Sequence, residues 1–148
     1  MLRLLLIPAA LLLAAATPPD GVAVHASRHD FTTLVERTAA AAEAGGLAIL
    51  GRASASAAAA KRGVTIPGDA VLMVFNNKFA VRLLTANPLA GIEPPLHLHI
   101  SETSDGGAAI SYRLPSATFR PYGDPSIDAV GAELDTILST IVARAVAP

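Results

Sequence analysis

Residues 96–114 read LHLHISETSDGGAAISYRL. Leu96, Leu98 and Ile100 alternate with His97, His99 and Ser101, and Ile110, Tyr112 and Leu114 alternate with Ser111 and Arg113. Period-two alternation on both sides of a Gly-containing turn predicts a β-hairpin. A three-residue loop, Asp105-Gly106-Gly107, sets Ser104 opposite Ala108, Leu98 opposite Leu114, Ile100 opposite Tyr112 and Glu102 opposite Ile110. Both apolar faces then coincide, whereas a two-residue loop would set apolar against polar. The same register puts Arg113 opposite His99.

On the C-terminal side, a loop over residues 115–125 precedes a long helix over about residues 126–145. Ile127, Val130, Leu134, Ile137, Leu138, Ile141 and Val142 form its apolar stripe. Asp128 near its start and Arg144 near its end suit the helix dipole. On the N-terminal side, Gly21 to Ser27 alternates as a strand. Asp30 is placed to cap a helix through Phe31, Leu34, Val35, Thr38 and Ala42, which Gly45-Gly46 ends. Leu47 to Leu50 reads as a short strand and Ser54 to Arg62 as a short helix. Ala70 to Phe75 is apolar at every position, which predicts a central strand covered on both faces. Residues 79–86 form a further short helix, broken by Asn87-Pro88. The order predicts an α+β fold: a single mixed sheet of about five strands, helices packed on it, and a long C-terminal helix.

The first sixteen residues, MLRLLLIPAALLLAAA, carry one charge, Arg3, and end in small residues. They read as a cleaved signal peptide (residues 1–16), with an uncleaved anchor helix as the alternative. Residues 17–20 form a short linker and residues 21–146 a single globular domain. The chain has 148 residues, 52% of them apolar, and a formal charge of −1. Without the leader the remaining chain has no apolar run long enough to span a bilayer. The near-neutral charge argues against nucleic acid as a partner. The absence of Cys excludes disulfides, thiolate chemistry and a lipidated N-terminus. Localisation is expected to be periplasmic or secreted by the general export route, with no stable membrane insertion after cleavage.

Several pieces in this order resemble one bacterial family. They are His29-Asp30-Phe31, the Ala-rich segment before Gly63, and Val64-Thr65-Ile66-Pro67. Next come the strand Val71 to Phe75 with Asn76-Asn77, Ala86-Asn87-Pro88-Leu89, and the hairpin with Ser111-Tyr112 and Pro115. With the C-terminal helix they cover nearly all of residues 21–146 and are similar to the "domain of unknown function 302" family. The resemblance implies a compact α+β domain that often dimerises and has no settled activity. The chain departs from the family pattern after Phe75: Asn76-Asn77-Lys78 stands where Gly-Asn-Pro is usual.

Candidate site residues are few. His97 and His99 share a strand face about 7 Å apart and suit two ligands of zinc or copper. His25 is the nearest third ligand in type. Glu102 and Tyr112 lie on the apolar face, where a carboxylate with a raised pKa can act as acid or base. Asn76, Asn77 and Lys78 leave the apolar strand at a position where ligands often bind. No Ser lies in a nucleophile motif, and no cofactor is predicted. The expected function is a non-catalytic binding or interaction module. Its partner is a small apolar or amphipathic ligand between sheet and helix, or a protein, including a second copy as a homodimer. The alternatives are a periplasmic metal-binding protein using His97 and His99, or an enzyme using Glu102 and Tyr112.

Overall fold

The structure, a computed structural model, describes residues 17–148. The leader reading of residues 1–16 lies outside the described residues. Five strands run Val22–Ser27 (β1), Ala48–Ala53 (β2), Asp69–Phe75 (β3), Leu96–Glu102 (β4) and Ala108–Arg113 (β5). Five α-helices run Phe31–Ala44 (α1), Ala55–Ala60 (α2), Asn77–Ala86 (α3), Pro115–Phe119 (α4) and Pro125–Val146 (α5), with short 3-10 helices at Pro88–Ile92 and Arg120–Tyr122. The α+β class, the five-stranded sheet and the long last helix are as the sequence predicts. Among the described residues, no helix is long and apolar enough to cross a membrane.

The strand order is β1-β5-β4-β3-β2, and all four pairings are antiparallel rather than mixed. The element order, with helices between successive strands, suggests a mixed sheet. Alternating directions across this order leave β1 and β2 pointing the same way, but α1 carries the chain from one edge of the sheet to the other. The two strands therefore never pair. Side-chain caps start the helices: Asp30 accepts from Thr33 N at 3.0 Å, Ser54 from Ala57 N at 3.1 Å, and Asp124 from Ser126 N at 2.8 Å. Each satisfies an amide left free by the first turn.

One face of the sheet is packed. Leu72, Val74, Leu98, Ile100, Ala108 and Ile110 meet Leu34, Val35 and Ala42 of α1 and Leu138, Ile141 and Val142 of α5. The N-terminal half of α5 enters a second core, where Ile127, Val130 and Leu134 pack with Leu83 and Phe119. α5 thus ties the sheet layer to α3 and α4. Gly131 permits the α4 contact, since a Cβ there would lie 2.9 Å from Ser116 Cα. The segment 115–125, expected as a loop, holds α4 because Pro115 occupies a first-turn position, where its missing N–H costs nothing.

The other face is open. β3 alternates half-buried and buried residues along its length, so Ala70 to Phe75 is not covered on both faces as expected. Val71, Met73 and Phe75 are half-buried on the open face.

Candidate functional site

The hairpin places the site. The loop has three residues, as expected, but it is Ser104-Asp105-Gly106. Thr103 N donates to Gly107 O at 3.0 Å, and Gly106 N to Thr103 O at 3.0 Å. Gly106 takes φ +84°, the left-handed conformation that closes a three-residue hairpin. Gly107 instead passes close to β1, where a Cβ would meet Ser27 O at 2.6 Å. The loop therefore sits one residue earlier than the sequence reading placed it, and the register moves by two. Ile100 pairs with Ile110, Glu102 with Ala108, and His99 with Ser111 rather than Arg113. An even shift preserves the faces and changes the neighbours.

Paired residues lie side by side, so the open face resolves into transverse rows. One row reads Val24, Ser111, His99, Val71 and Ala53. A second reads Ala26, Ala109, Ser101 and Asp69. A third carries Val22 with Arg113, and His97 with Met73 and Gly51. Across the first two rows runs a hydrogen-bonded chain. Ser111 Oγ lies 3.1 Å from His99 Nδ1, and His99 Nε2 lies 2.7 Å from Asp69 Oδ2. The other Asp69 oxygen accepts from Ala55 N at 2.9 Å. The Ala55 amide first, and His99 second, hold the Asp69 carboxyl below its ordinary pKa. The His99 and Asp69 side chains keep 40% and 28% exposure, so a molecule from solvent can reach the chain.

Beside these rows is a cleft of about 270 Å3 between the approach to β4 and the hairpin. Ile92, Pro95 and Leu96 form its apolar wall, and His97, Arg113 and Glu93 border it. Glu93 Oε1 accepts from the Tyr122 hydroxyl at 2.8 Å, and that bond, followed by burial and the Glu93 charge, raises the Tyr122 pKa. Arg113 is exposed and forms no ion pair among the described residues.

His97 and His99 do share the open face. His25 faces the opposite, helix-covered side: it pairs with Ile110 and its ring stacks on Tyr112 with centroids 6.0 Å apart. It cannot join the other two histidines. Among the described residues, no three of His, Cys, Asp and Glu gather as a metal site. Glu102 and Tyr112 are not brought together. Glu102 is exposed at the strand end, where Oε2 accepts from Gly68 N at 2.7 Å. Tyr112 is 5% exposed and sits four strand positions away, about 13 Å along the sheet. Burial, with the Asp135 charge adding to it, pushes the Tyr112 hydroxyl pKa up.

Asn76 is occupied structurally. Its Oδ1 accepts from Lys78 N at 2.8 Å and so caps α3, and its Nδ2 donates to Gly46 O at 2.8 Å. Asn77 and Lys78 are exposed. Asn76 also borders an apolar cavity of about 20 Å3 between β3, α3 and α5. That volume holds a water at most, so no ligand space is formed between sheet and helices at that point. Sequence reasoning missed Asp69 and Ser111. Alternation had already put Ser111 on the His99 face; the two-residue register error alone replaced it with Arg113. Asp69 follows Pro67-Gly68 at the start of β3, and no local pattern ties it to His99, 30 residues on.

No curated protein matches the sequence. The crystal structure of an uncharacterized conserved DUF302 protein from Bacillus stearothermophilus superposes with a TM-score of 0.78, at 20% identity over 86% of this chain and 99% of that one. At that identity the likeness concerns the fold. The family model described as "Domain of unknown function DUF302" matches residues 23–145. The chain belongs to the DUF302 family.

Proposed function

We propose that this chain is an exported binding module whose ligand is a small amphipathic carboxylate, seated in the cleft beside β4 and β5. One observation carries the reading: Arg113 offers a guanidinium without a carboxylate partner in a cleft of about 270 Å3 whose apolar side is Ile92, Pro95 and Leu96. A guanidinium binds a carboxylate through two parallel hydrogen bonds, and Ile92, Pro95 and Leu96 suit a short aliphatic chain. The volume lies just below the usual range for organic ligands, about 300–1,000 Å3, which favours a small one. Titration calorimetry with acetate, butyrate and hexanoate tests this. Affinity should rise with chain length and fall at least about tenfold in Arg113→Gln. Equal binding by the variant, or no heat from any of the three, overturns the reading. Export is supported by the leader-like residues 1–16. N-terminal sequencing of protein from the extracytoplasmic fraction should begin at Thr17.

Self-association is a second reading, favoured by an exposed apolar surface that adjoins the cleft at Ile92. Leu89 and Ile92 are 75% and 81% exposed and eclipse one another, three apart on a 3-10 helix. Val81 and Leu84 of α3 are exposed beside them, with Leu84 over Gly91. Four large apolar side chains on one surface suit a second copy of the chain. Native mass spectrometry should show a dimer that Ile92→Asp dissociates; a monomer at all concentrations overturns this.

A further inference from the structure

We propose that Ser111, His99 and Asp69 form an acyl-transfer site on the open face of the sheet, acting on a small ester that carries a carboxylate held by Arg113. The choice of substrate rests on the binding reading above; the chemistry rests on the hydrogen-bonded chain itself.

A serine hydroxyl becomes nucleophilic when a neighbouring base takes its proton and a third group orients that base. All three parts are present. Ser111 Oγ is 3.1 Å from His99 Nδ1, a separation that closes when substrate binds. Asp69 Oδ2 is 2.7 Å from the other ring nitrogen, so a proton gained at Nδ1 leaves an imidazolium facing a carboxylate. Asp69 is itself fixed by the Ala55 amide at 2.9 Å, and Ser56 Oγ accepts from Asp69 N at 3.1 Å. The acid is therefore held from α2 while the base and nucleophile stand on β4 and β5. Asp69 at the start of β3 thus meets a base and a nucleophile that face each other across one hairpin.

The surroundings suit an ester. Val24 and Val71 flank the Ser111–His99 pair in the same row. Arg113 follows Ser111 by two residues on the same face, about 7 Å along the strand. It is the one permanent cation of the three rows. A carboxylate on Arg113 leaves an ester carbonyl three or four bonds away within reach of Ser111.

In the reaction, Ser111 Oγ attacks the carbonyl carbon and its proton passes to His99 Nδ1. The carbon–oxygen bond to the leaving alcohol breaks, and that alcohol takes the proton from His99. Water, deprotonated by His99, then attacks the acyl carbon; the bond to Ser111 Oγ breaks, Oγ takes that proton back from His99, and the acid is released. The net change is ester plus water to acid plus alcohol. Ser111 and His99 are the catalytic residues; Asp69 is a positioning residue.

The full chain is treated with a fluorophosphonate, digested, and its peptides weighed. Ser111 should carry the phosphonyl group, and this readout needs no variant. The 4-nitrophenyl half-ester of succinate supplies the kinetic readout. Ser111→Ala should fall to the uncatalysed rate, and His99→Gln should lose about 100-fold or more. Asp69→Asn should lower kcat about tenfold or more with KM unchanged, a split that loss of packing alone does not give. Circular dichroism confirms that each variant is folded. An unmodified Ser111, or hydrolysis surviving at the wild-type rate in Ser111→Ala, overturns the proposal. Carboxylate binding without modification of Ser111 overturns the chemistry and leaves the binding reading standing. Modification of Ser111 without Arg113-dependent carboxylate binding overturns the binding reading and the substrate class with it.

Discussion

Arg37 on α1 donates from Nε to the carbonyl of Ala145 on α5 at 2.8 Å. Its Nη2 reaches Ala147 O at 2.7 Å, and His29 Nε2 lies 2.7 Å from the same oxygen. The last turn of a helix leaves carbonyls unpaired and carries partial negative charge. A cation from the neighbouring helix answers both, and it locks the two helices that cover the sheet.

Arg37→Met should therefore destabilise the fold by about 1.5–3 kcal/mol, the range for hydrogen bonds to a charged group. The aliphatic stem is kept, so the loss reports the capping contacts. Thermal unfolding followed by circular dichroism should show a lower Tm. An unchanged Tm would mean that solvent satisfies these carbonyls equally well.

Acid should weaken the fold through its capping aspartates. Thr33 N lowers the Asp30 pKa, the Ser126 hydroxyl and amide lower that of Asp124, and the Ala55 amide and His99 lower that of Asp69. A pKa lower in the folded state gives stability that is present above the unfolded value, near 3.8, and lost as pH falls through the folded values. Asp30→Asn with Asp124→Asn keeps two cap acceptors and removes their charge. Tm measured from pH 6 to pH 2 should fall less steeply in this double variant than in the wild type. Parallel curves would assign acid sensitivity elsewhere.

Gly131→Ala sets two effects against each other. Alanine gains about 1 kcal/mol of helix propensity. Its Cβ, however, would lie 2.9 Å from Ser116 Cα and 3.2 Å from Ser116 N, both backbone atoms of α4. Backbone cannot rotate away as a side chain can, and overpacking of this kind costs about 1–3 kcal/mol. The net change should be destabilising, read as a lower urea midpoint with an unchanged m-value. A higher midpoint would show that α4 shifts freely.

Two glycines of the hairpin should differ in the same way. Gly106→Ala strains a left-handed turn, at about 1 kcal/mol. Gly107→Ala places a Cβ 2.6 Å from Ser27 O and pushes β1 off β5. Amide exchange should therefore quicken along residues 22–27 in Gly107→Ala and not in Gly106→Ala. Equal exchange in both variants would refute the close-approach account of Gly107.

What the sequence made legible follows from local physics. The cap at Asp30, the Gly45 stop and the α5 stripe were readable because each depends on residues within a few positions of one another. The pairing of β1 with β5 was not, because nothing near Val22 refers to Arg113. The hairpin shows the boundary. Alternation fixed which face His99 occupies, but its neighbour depended on whether Gly106 or Gly107 took the left-handed position. That choice turned on Ser27, some eighty residues upstream. The site inherited the difference: His97 and His99 were visible as a pair, while the Asp69–His99–Ser111 chain needed the true register.

The strand order also constrains when the fold can form. β1 is an edge strand whose one partner in the sheet is β5. The first strand of the domain must therefore wait until residues 108–113 have been synthesised. A loop of that length closes late and at an entropic cost. Until then a growing chain lacks its final edge and the last helix that seals the core. A nascent polypeptide of this design stays threadable for most of its synthesis, and only the nearly finished chain can shut itself.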